Sequence, residues 1–400
     1  MSLNNALPIP TKLHRRIAPP NTVLLSLGAA MLAVIWLLSP VSVAPNRIVP
    51  GTSYHLLDAI GWFGALLISL LISALCVLAL RTTQAHYWAM LALVIVMLLL
   101  MPFGFIVASH WLVNPELPQA RVSVGAASWS LLFILLLCLV ELRLRLGLSR
   151  LSTTLLLSFV GVIWWLCTSS WLQDLALVKE FQARDQQFWR AIRQHLQLVI
   201  TAVGVSVVAG VLLAMLMRRY IKLQKITFSL LNFLQTIPSI ALFGLLLAPL
   251  AWASANIPFL AKLGVSGIGT APALIALIAY SLLPMVRNTY TALEEVSSDT
   301  LEAAKAMGMR SSQRFWQVRL PLALPVVLEG LRITTVQAVG LTAVAALIGA
   351  GGLGTFIFQG LGQAAMDMVL LGALPILLLA LIVDAGIGAL AEALRPGGHE

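Results

Sequence analysis

The polar segment 287–325 has the residue types and spacing of a surface that docks onto another protein. A run of strong helix formers occupies 301–307, and Gly308 follows it as the expected end of that helix. Ser298 or Asp299 is expected to cap the helix by accepting the amide hydrogens of its first turn. A short helix rich in alanine can enter a groove on a partner, because its small side chains allow close approach. The segment is therefore interpreted as a docking element.

The same segment continues with a second stretch of helix-forming residues at 311–318. Proline lacks the amide hydrogen that a helix interior requires. We therefore expect Pro321 and Pro325 to stop this second helix before the next apolar run begins.

No arrangement of residues in the sequence indicates catalysis or metal binding. A phosphate-binding loop of the form Gly-x-x-x-x-Gly-Lys-Ser/Thr needs a lysine directly after a glycine, and the sequence contains no such pair. A process driven by ATP therefore requires another chain to hold the nucleotide. The histidines are scattered rather than spaced as metal ligands: His14, His55, His86, His110, His195 and His399.

Uncharged polar residues in the apolar second half of the chain are candidates for a translocation path. Pro238 frees a backbone carbonyl, which must find a partner or face a water-lined cavity. Hydrogen bonds between helices explain each of these side chains equally well. The candidates are Asn232, Gln235, Thr236, Ser239, Thr334, Thr335, Gln337 and Thr342.

A cluster of glycines follows the ninth predicted helix. It consists of Gly349, Gly351, Gly352 and Gly354. A nucleotide-binding loop would follow a strand, whereas this cluster follows a membrane helix and is expected on the outer side. We interpret it as a flexible turn or outer gate that lets the backbone pack closely. An ordinary glycine-rich turn without a gating role is the alternative.

Ionisable residues within the apolar runs would indicate an ion-coupled secondary carrier, which is one possible function of a membrane protein. Such carriers keep ionisable groups inside their spans because those groups perform the coupling. Asp384 is the one clear carboxylate well inside a predicted helix, whereas Glu329 and Arg332 lie near the start of another and can reach the interface. Asp384 is interpreted as a hydrogen-bond partner between helices or as an interface residue, rather than as a proton relay.

Membrane-spanning helices must position all these residues. Of the 400 residues, 60% are hydrophobic and 10% are charged, whereas soluble chains have about 45–50% and about 25%. This composition excludes a soluble domain, and the chain has no room for an attached catalytic domain. Runs of this length must be helical, because their backbone groups are satisfied within the segment. The sequence predicts an all-α polytopic membrane protein with about ten transmembrane helices, at 22–40, 59–80, 87–109, 128–142, 151–172, 196–217, 228–250, 271–286, 328–348 and 370–391.

The orientation follows from the basic residues. Connections between spans lie alternately on the two sides of the membrane, and most of the 25 Lys and Arg residues fall on the side that also holds both termini. Because cytoplasmic connections are the ones rich in Lys and Arg, both termini are predicted in the cytoplasm. The net charge of +10 then reflects the excess of basic residues in the cytoplasmic connections. Membrane lipids rather than nucleic acid are therefore the expected partner. The basic residues at 12–16, the apolar stretch 21–38 and the triplet 42–44 also resemble a secretory signal. A retained first span is favoured, because the stretch is long and further spans follow.

The connection 173–195 divides the chain into an N-terminal five-helix membrane region at 1–172 and a second region at 196–400. Its apolar residues recur at helical spacing, which predicts an amphipathic helix on the outer membrane surface. A solvated linker is the alternative. The apolar stripe consists of Trp171, Leu175, Val178, Phe181, Phe188, Ile192 and Leu196.

The segment 287–325 resembles the cytoplasmic signature of the membrane subunits of binding-protein-dependent ABC importers. That signature is Glu-Ala-Ala, three residues, Gly, nine residues, a branched apolar residue, any residue and Leu-Pro, and each fixed position is matched. The resemblance implies helices that seat in a cleft of a separate ATP-binding subunit, which holds ATP and Mg, with no cofactor on this chain. The coupling residues that it implies are Glu302, Ala303, Ala304, Gly308, Leu320 and Pro321.

Further motifs resemble the osmoprotectant group of these permeases, which imports glycine betaine, choline and related compounds. They include the runs at 235–239, 267–272, 280–290 and 349–354. The resemblance implies a permease core at 196–400, an extracytoplasmic substrate-binding protein, a second permease copy or relative, and a location in the bacterial inner membrane. The first five helices have no counterpart in the minimal members of the family, although longer osmoprotectant permeases carry such an extension.

Overall fold

The computed structural model describes residues 19–47 and 49–395. The basic residues at 12–16, together with His14 and His399, lie outside the described residues. The chain divides into two compact units, the first ending at Lys179 and the second beginning at Glu180. Within the described ranges, nine helices are long and apolar enough to cross a membrane. The prediction of a helical polytopic protein is therefore confirmed.

The first unit is built mainly from five apolar helices. They are α1 (Thr22–Leu37), α2 (Leu56–Ala79), α3 (Gln84–Leu112), α4 (Ala126–Leu146) and α5 (Arg150–Ser170). Helix α1 has 16 residues, fewer than the roughly 20 that a full span requires. Its first turn is capped by Asn21, whose side-chain oxygen accepts a hydrogen bond from the amide of Leu24 at 3.0 Å. Leu24, Met31, Ile72 and Met90 lie in the core between α1, α2 and α3.

The connections of this unit form a small antiparallel sheet that the all-α prediction did not include. Its strands are β1 (Val41–Ala44), β2 (Thr52–Tyr54) and β3 (Arg121–Val124), in the order β2-β1-β3. Only the long apolar runs must be helical, and these residues lie outside those runs, where strand pairing satisfies the backbone. The triplet 42–44 lies in the central strand, where Ser42 and Val43 pair on both sides and Ala44 pairs with Arg121 alone.

The predicted connection 173–195 differs from the structure in its second half. Helix α6 (Ala176–Ala183) ends at Arg184, whose φ of −142° and ψ of 27° are not helical, and α7 (Asp185–Arg219) then runs for 35 residues. The prediction of a separate surface helix is therefore wrong from residue 185 onward. Leu175 packs in the core of the first unit, and Phe188 is only 8% exposed. An apolar stripe has the same spacing whether it faces lipid or protein, so its periodicity could not distinguish the two.

The second unit continues from α7 through a set of helices and two short irregular helical turns. These are α8 (Ile221–Thr236), α9 (Ser239–Asn256), α10 (Pro258–Lys262), α11 (Thr270–Glu294), α12 (Ser298–Ala306), α13 (Ser311–Gln313), a π-helical turn (Arg314–Arg319), α14 (Leu320–Val344), a 3₁₀ turn (Ala345–Ile348), α15 (Gly354–Gly362) and α16 (Met366–Ala393). Helix α11 packs against α7 and α14, and α14 packs against α16. Ala273, Ala276 and Leu277 on α11 are fully buried in this core.

The predicted span 228–250 is two helices rather than one. The chain leaves the helical conformation at Ile237, with ψ of 125°, and at Pro238, with ψ of 139°. Proline disfavours the helical conformation of the residue before it and cannot donate to the helix ladder. The break therefore separates α8 from α9.

Candidate coupling and gating sites

Helix α12 forms where the sequence predicted the docking helix, and its end has a defined geometry. Gly308 has a φ of 82°, in the left-handed region that favours glycine. The amide of Gly308 donates to the carbonyl of Lys305 at 3.0 Å, and the amide of Met309 donates to that of Ala304 at 3.2 Å. These two bonds are the pattern of a Schellman motif, which closes the helix. Ser298 and Asp299 are the first two residues of the helix itself, so the prediction that one of them caps it is wrong; the cap position is Ser297.

One face of α12 is open and the other is packed. Ala304 is 2% exposed and anchors the helix, whereas Met307 is 75% exposed at its end. Among the coupling candidates, Leu320 is half-buried and the exposed members are Glu302, Ala303, Gly308 and Pro321. The helix therefore offers small and polar side chains on a surface that a partner can reach.

The sequence predicts that the helix at 311–318 stops before the next apolar run. The structure differs, because the chain stays helical beyond α13. It continues through the π-helical turn into α14, and the amide of Leu320 donates to the carbonyl of Phe315, five residues back. Pro321 is the second residue of α14, directly after the hydrogen bonds change from the π-helical to the α-helical pattern. Pro325 lies buried inside α14. A π-helical turn interrupts the regular ladder, so a missing amide hydrogen is tolerated there. The docking element is thus continuous with a membrane helix.

A small apolar cluster fixes this element to the two helices that flank it. Ala292 and Leu293, at the end of α11, pack with Ala323, near the start of α14. Val296 and Phe315 cover this cluster. The cluster therefore ties the chain just before α12 and the π-helical turn after it to the ends of α11 and α14.

The glycine cluster lies at the opposite end of α11. This helix has 25 residues and is about 37 Å long. At its start, the amide of Gly269 donates to the carbonyl of Ile348 at 2.7 Å, directly before the cluster. The two candidate sites are thus joined by one helix that is as long as a bilayer is thick.

The glycines of this cluster are closely packed. Gly349, Gly351 and Gly352 have φ values of 78°, 79° and 85°. A Cβ atom on Gly351 would lie 2.4 Å from Oε1 of Gln194, and the same oxygen accepts a hydrogen bond from the amide of Gly352 at 3.3 Å. At Gly354 a Cβ atom would lie 1.9 Å from the carbonyl oxygen of Ala343.

His195 belongs to the same packing, although its position in the sequence carried no motif. It is fully buried, and its Nε2 lies 3.1 Å from the carbonyl oxygen of Val339. Because a carbonyl oxygen only accepts, Nε2 is the nitrogen that carries the hydrogen. Within the described part of the chain, Nδ1 has no hydrogen-bond partner, and it faces Gly352. A lone histidine without spacing to others gave no signal by which sequence reasoning could find it.

The path candidates separate into two groups by exposure. Asn232, Gln235 and Thr236 are exposed near the end of α8, where Gln235 Nε2 donates to the carbonyl of Tyr280 at 3.2 Å. The hydroxyl of Tyr280 donates to the carbonyl of Ile237, so the backbone at the break has found a partner.

Polar residues on α14 and at the start of α9 are less accessible. Thr334 and Thr342 are fully buried, and their hydroxyls donate to carbonyls four residues back at 2.8 and 2.7 Å. The hydroxyl of Thr335 makes the same kind of bond, to the carbonyl of Leu331 at 2.7 Å, so burial alone sets Thr334 and Thr342 apart from the other path candidates. Thr335, Gln337 and Ser239 remain half-buried.

An ion-pair network between α14 and α16 confirms the interpretation of Asp384 as an interhelical partner. Arg332 donates to its two oxygens at 2.6 and 2.7 Å, and also to Glu329 at 3.2 Å. Arg395 lies 3.6 Å from Glu329. The described residues contain no group of three or more potential metal ligands close enough to hold an ion.

Two families match successive parts of the chain. Residues 206–396 match “Binding-protein-dependent transport system inner membrane component”, and residues 19–178 match “ABC transporter permease YehY, N-terminal domain”.

Curated relatives cover about half of this chain and most of their own length. Osmoprotectant import permease protein OsmW of Salmonella typhimurium is 42% identical over 205 residues, which are 51% of this chain and 90% of that protein. Carnitine transport permease protein OpuCB of Listeria monocytogenes is 34% identical, over 55% of this chain and 94% of its own. Choline transport system permease protein OpuBB of Bacillus subtilis is 34% identical, over 56% of this chain and 96% of its own. Among solved structures, an inward-facing conformation of the MetNI methionine ABC transporter aligns with a TM-score of 0.43 and 24% identity, over 53% of this chain and 97% of that one.

Proposed function

The chain belongs to the binding-protein-dependent transport system inner membrane components, and we propose that the solute it imports is an osmoprotectant such as glycine betaine or choline. It is a multi-pass permease subunit of an ATP-driven importer and not an enzyme, since ATP is used by a separate component in this family. The proposal for the solute is supported by the relatives that transport osmoprotectants, carnitine and choline.

The observation that carries the proposed mechanism is the exposed helix α12, closed by Gly308. A cleft of the ATP-binding subunit contacts Glu302, Ala303 and Gly308. Ala304, on the buried face of α12, anchors the helix to the rest of the permease. Nucleotide-driven closure of that subunit moves α12, and the cluster of Ala292, Leu293 and Ala323 passes the movement to α11 and α14. Leu320 and Pro321 lie where this movement enters α14. Such a switch needs an element with two arrangements that the nucleotide biases.

Two further protein partners complete the proposed importer. A second permease copy or relative pairs with this one across a two-fold axis, so that solute passes between exposed helix faces. Its path is lined by Asn232, Gln235, Thr236, Ser239, Thr335 and Gln337. An extracytoplasmic substrate-binding protein delivers the solute at the glycine cluster of Gly349, Gly351, Gly352 and Gly354, which acts as the outer gate.

The orientation and domain division also belong to this proposal. Both termini lie in the cytoplasm, because the basic residues concentrate in alternate connections. The permease core occupies 196–400 and is entered through α7, which begins at Asp185, and the five-helix region 1–172 is an addition that precedes it. The coupling segment 287–325 then faces the cytoplasm, where ATP is available.

Nothing supports the ion-coupled secondary carrier, since its one candidate carboxylate, Asp384, is held in the ion pair with Arg332. Reconstitution separates the two mechanisms. The chain is placed in liposomes with its ATP-binding subunit and binding protein, and the uptake of labelled glycine betaine and choline is measured. We expect uptake to require ATP on the α12 side and to persist when ionophores remove ion gradients.

Two negative outcomes have different meanings. Uptake that stops with the ion gradient while ATP remains would overturn ATP coupling. In the second outcome, the binding protein stimulates ATP hydrolysis while carrying a solute with which glycine betaine, choline and carnitine do not compete. That result would overturn the proposed solute and leave the importer class intact.

A further inference from the structure

The first unit contains an apolar cavity that the transport mechanism above does not use. Its volume is about 430 Å³, and residues of α1 to α4 line it. Its floor is buried, since Ala59, Met97 and Leu131 are at most 4% exposed. Its edge is open, since Phe63 on α2 is 92% exposed and Trp111 on α3 is 63% exposed. The cavity therefore opens sideways between α2 and α3, two helices that are long and apolar enough to span a bilayer.

The chemistry of the lining excludes a polar ligand. Apart from Ser128 and the indole of Trp111, the described side chains that line the cavity are apolar. The Ser128 hydroxyl already donates to the carbonyl oxygen of Pro40 at 2.8 Å. A buried water or a sugar needs several hydrogen-bond partners, and an apolar cavity instead stays dry or takes an apolar guest.

The shape of the cavity follows the helix axes. Its lining extends along 56–71 on α2 and along 97–111 on α3. Fifteen residues of α3 correspond to about 22 Å, whereas one leaflet contributes about 15 Å of hydrocarbon. The cavity is thus long enough to contain the full depth of one leaflet.

Glycines line this cavity in an otherwise leucine-rich unit, and Gly104 is the one that leaves space open. Gly61 breaks α2 with a φ of 69°, and the ring of Trp111 lies 2.8 Å from where its Cβ atom would be. Gly64 and Gly104 also line the cavity. A Cβ atom on Gly104 would meet only Ile60, at 3.7 Å among the described residues, so a larger side chain there would extend into the cavity.

We propose that this cavity binds one acyl chain of a membrane lipid, taken from the leaflet in which α2 begins. The opening faces the hydrocarbon, the lining is apolar, and the length matches an acyl chain held parallel to the helices. Trp111 lies near the end of α3, at the height of the interface, where an indole faces the headgroup region.

Photo-crosslinking tests this site in the full chain. The importer is reconstituted in phosphatidylethanolamine bilayers that contain a phosphatidylethanolamine with a photoreactive diazirine in its acyl chain, and labelled peptides are mapped after irradiation. We expect the label to concentrate in the peptides that carry 56–71 and 97–111. Gly104→Leu, which fills the cavity, is expected to reduce this labelling about tenfold, equivalent to about 1.4 kcal/mol of binding.

Gly161→Leu is the matched control. Gly161 lies on α5, where a Cβ atom would meet none of the described atoms within 4 Å, so this change adds the same side chain outside the cavity. It is expected to leave the labelling unchanged. Should Gly104→Leu fail to fold, Leu67→Trp narrows the opening from a half-exposed position, and lipid retained by the purified protein is counted by native mass spectrometry. Equal labelling of α5 and the cavity peptides, or unchanged labelling and lipid retention in the filled variant, would overturn the proposal.

Discussion

Arg332 and Asp384 join α14 to α16 through a bidentate ion pair. Nε and Nη2 of Arg332 lie 2.6 and 2.7 Å from the two carboxylate oxygens of Asp384. A planar guanidinium opposite a carboxylate fixes orientation as well as distance. Because α14 continues directly from the segment 287–325, this pair ties α16 to the proposed coupling element.

Removing one charge of the pair should cost more than removing both. Asp384→Asn leaves Arg332 with Glu329 alone, and breaking a fully buried pair costs about 3–5 kcal/mol. The side chains are 33% and 43% exposed, so we expect a smaller loss, about 1–3 kcal/mol. The double variant Arg332→Leu with Asp384→Leu should be more stable than Asp384→Asn, because no uncompensated charge remains. Thermal unfolding of the purified variants measures both.

Uptake by the double variant distinguishes a structural pair from a coupling carboxylate. ATP-driven uptake is expected to survive in it at a reduced rate. Complete loss of uptake in a stably folded double variant would contradict the structural role and return Asp384 to the translocation chemistry.

Gly308 should be needed for binding of the ATP-binding subunit. Gly308→Ala places a side chain at a φ of 82°, which costs about 1–2 kcal/mol and opens the Schellman motif of α12. We expect the affinity for the ATP-binding subunit to fall about tenfold, measured by titration of the labelled subunit.

Gly264→Ala provides the control for backbone strain. Gly264 has a φ of 77°, and, as at Gly308, a Cβ atom there would meet none of the described atoms within 4 Å. It lies before the start of α11, at the end remote from α12. Equal loss of ATPase affinity in both variants would show that general destabilisation, and not the coupling helix, is responsible.

Helix α12 could be predicted because its determinants are local. Alanine-rich composition at 301–307 and a glycine at 308 specify a short helix and its end without any tertiary contact. The apolar spans were predictable for a similar reason, since hydrocarbon requires each segment to satisfy its own backbone. Both depend on short-range rules that a single sequence states directly.

Features that depend on distant partners could not be predicted from one sequence. Gln194 and His195 acquire their role from the packing of Gly351 and Gly352, about 160 residues further along. The sheet order β2-β1-β3 pairs strands nearly 80 residues apart. The sequence predicts Asp384 as an interhelical partner or interface residue, but neither charge nor spacing indicates that Arg332 rather than another basic residue completes the pair.

Gly354 should be the least replaceable glycine of α15. A Cβ atom there would lie 1.9 Å from the carbonyl oxygen of Ala343, which is backbone and cannot rotate away. Gly354→Ala therefore forces α15 away from α14, at about 3 kcal/mol. Gly362→Ala is the control at the other end of the same helix, where a Cβ atom would meet none of the described atoms within 4 Å. It should be neutral or slightly stabilising; similar unfolding temperatures for the two variants would contradict the close approach.

The hydrogen bond from Tyr280 to the break between α8 and α9 should stabilise the candidate path. Tyr280 is 6% exposed, and its hydroxyl donates to the carbonyl of Ile237. Tyr280→Phe keeps the ring but leaves this carbonyl unsatisfied, which costs about 1–2 kcal/mol. Tyr290→Phe removes the same atom from a residue of the same helix whose ring packs on Phe228 at 5.8 Å. We expect only Tyr280→Phe to lower the unfolding temperature and to increase proteolysis at 236–239. Equal effects of the two substitutions would mean that the break is held by its proline alone.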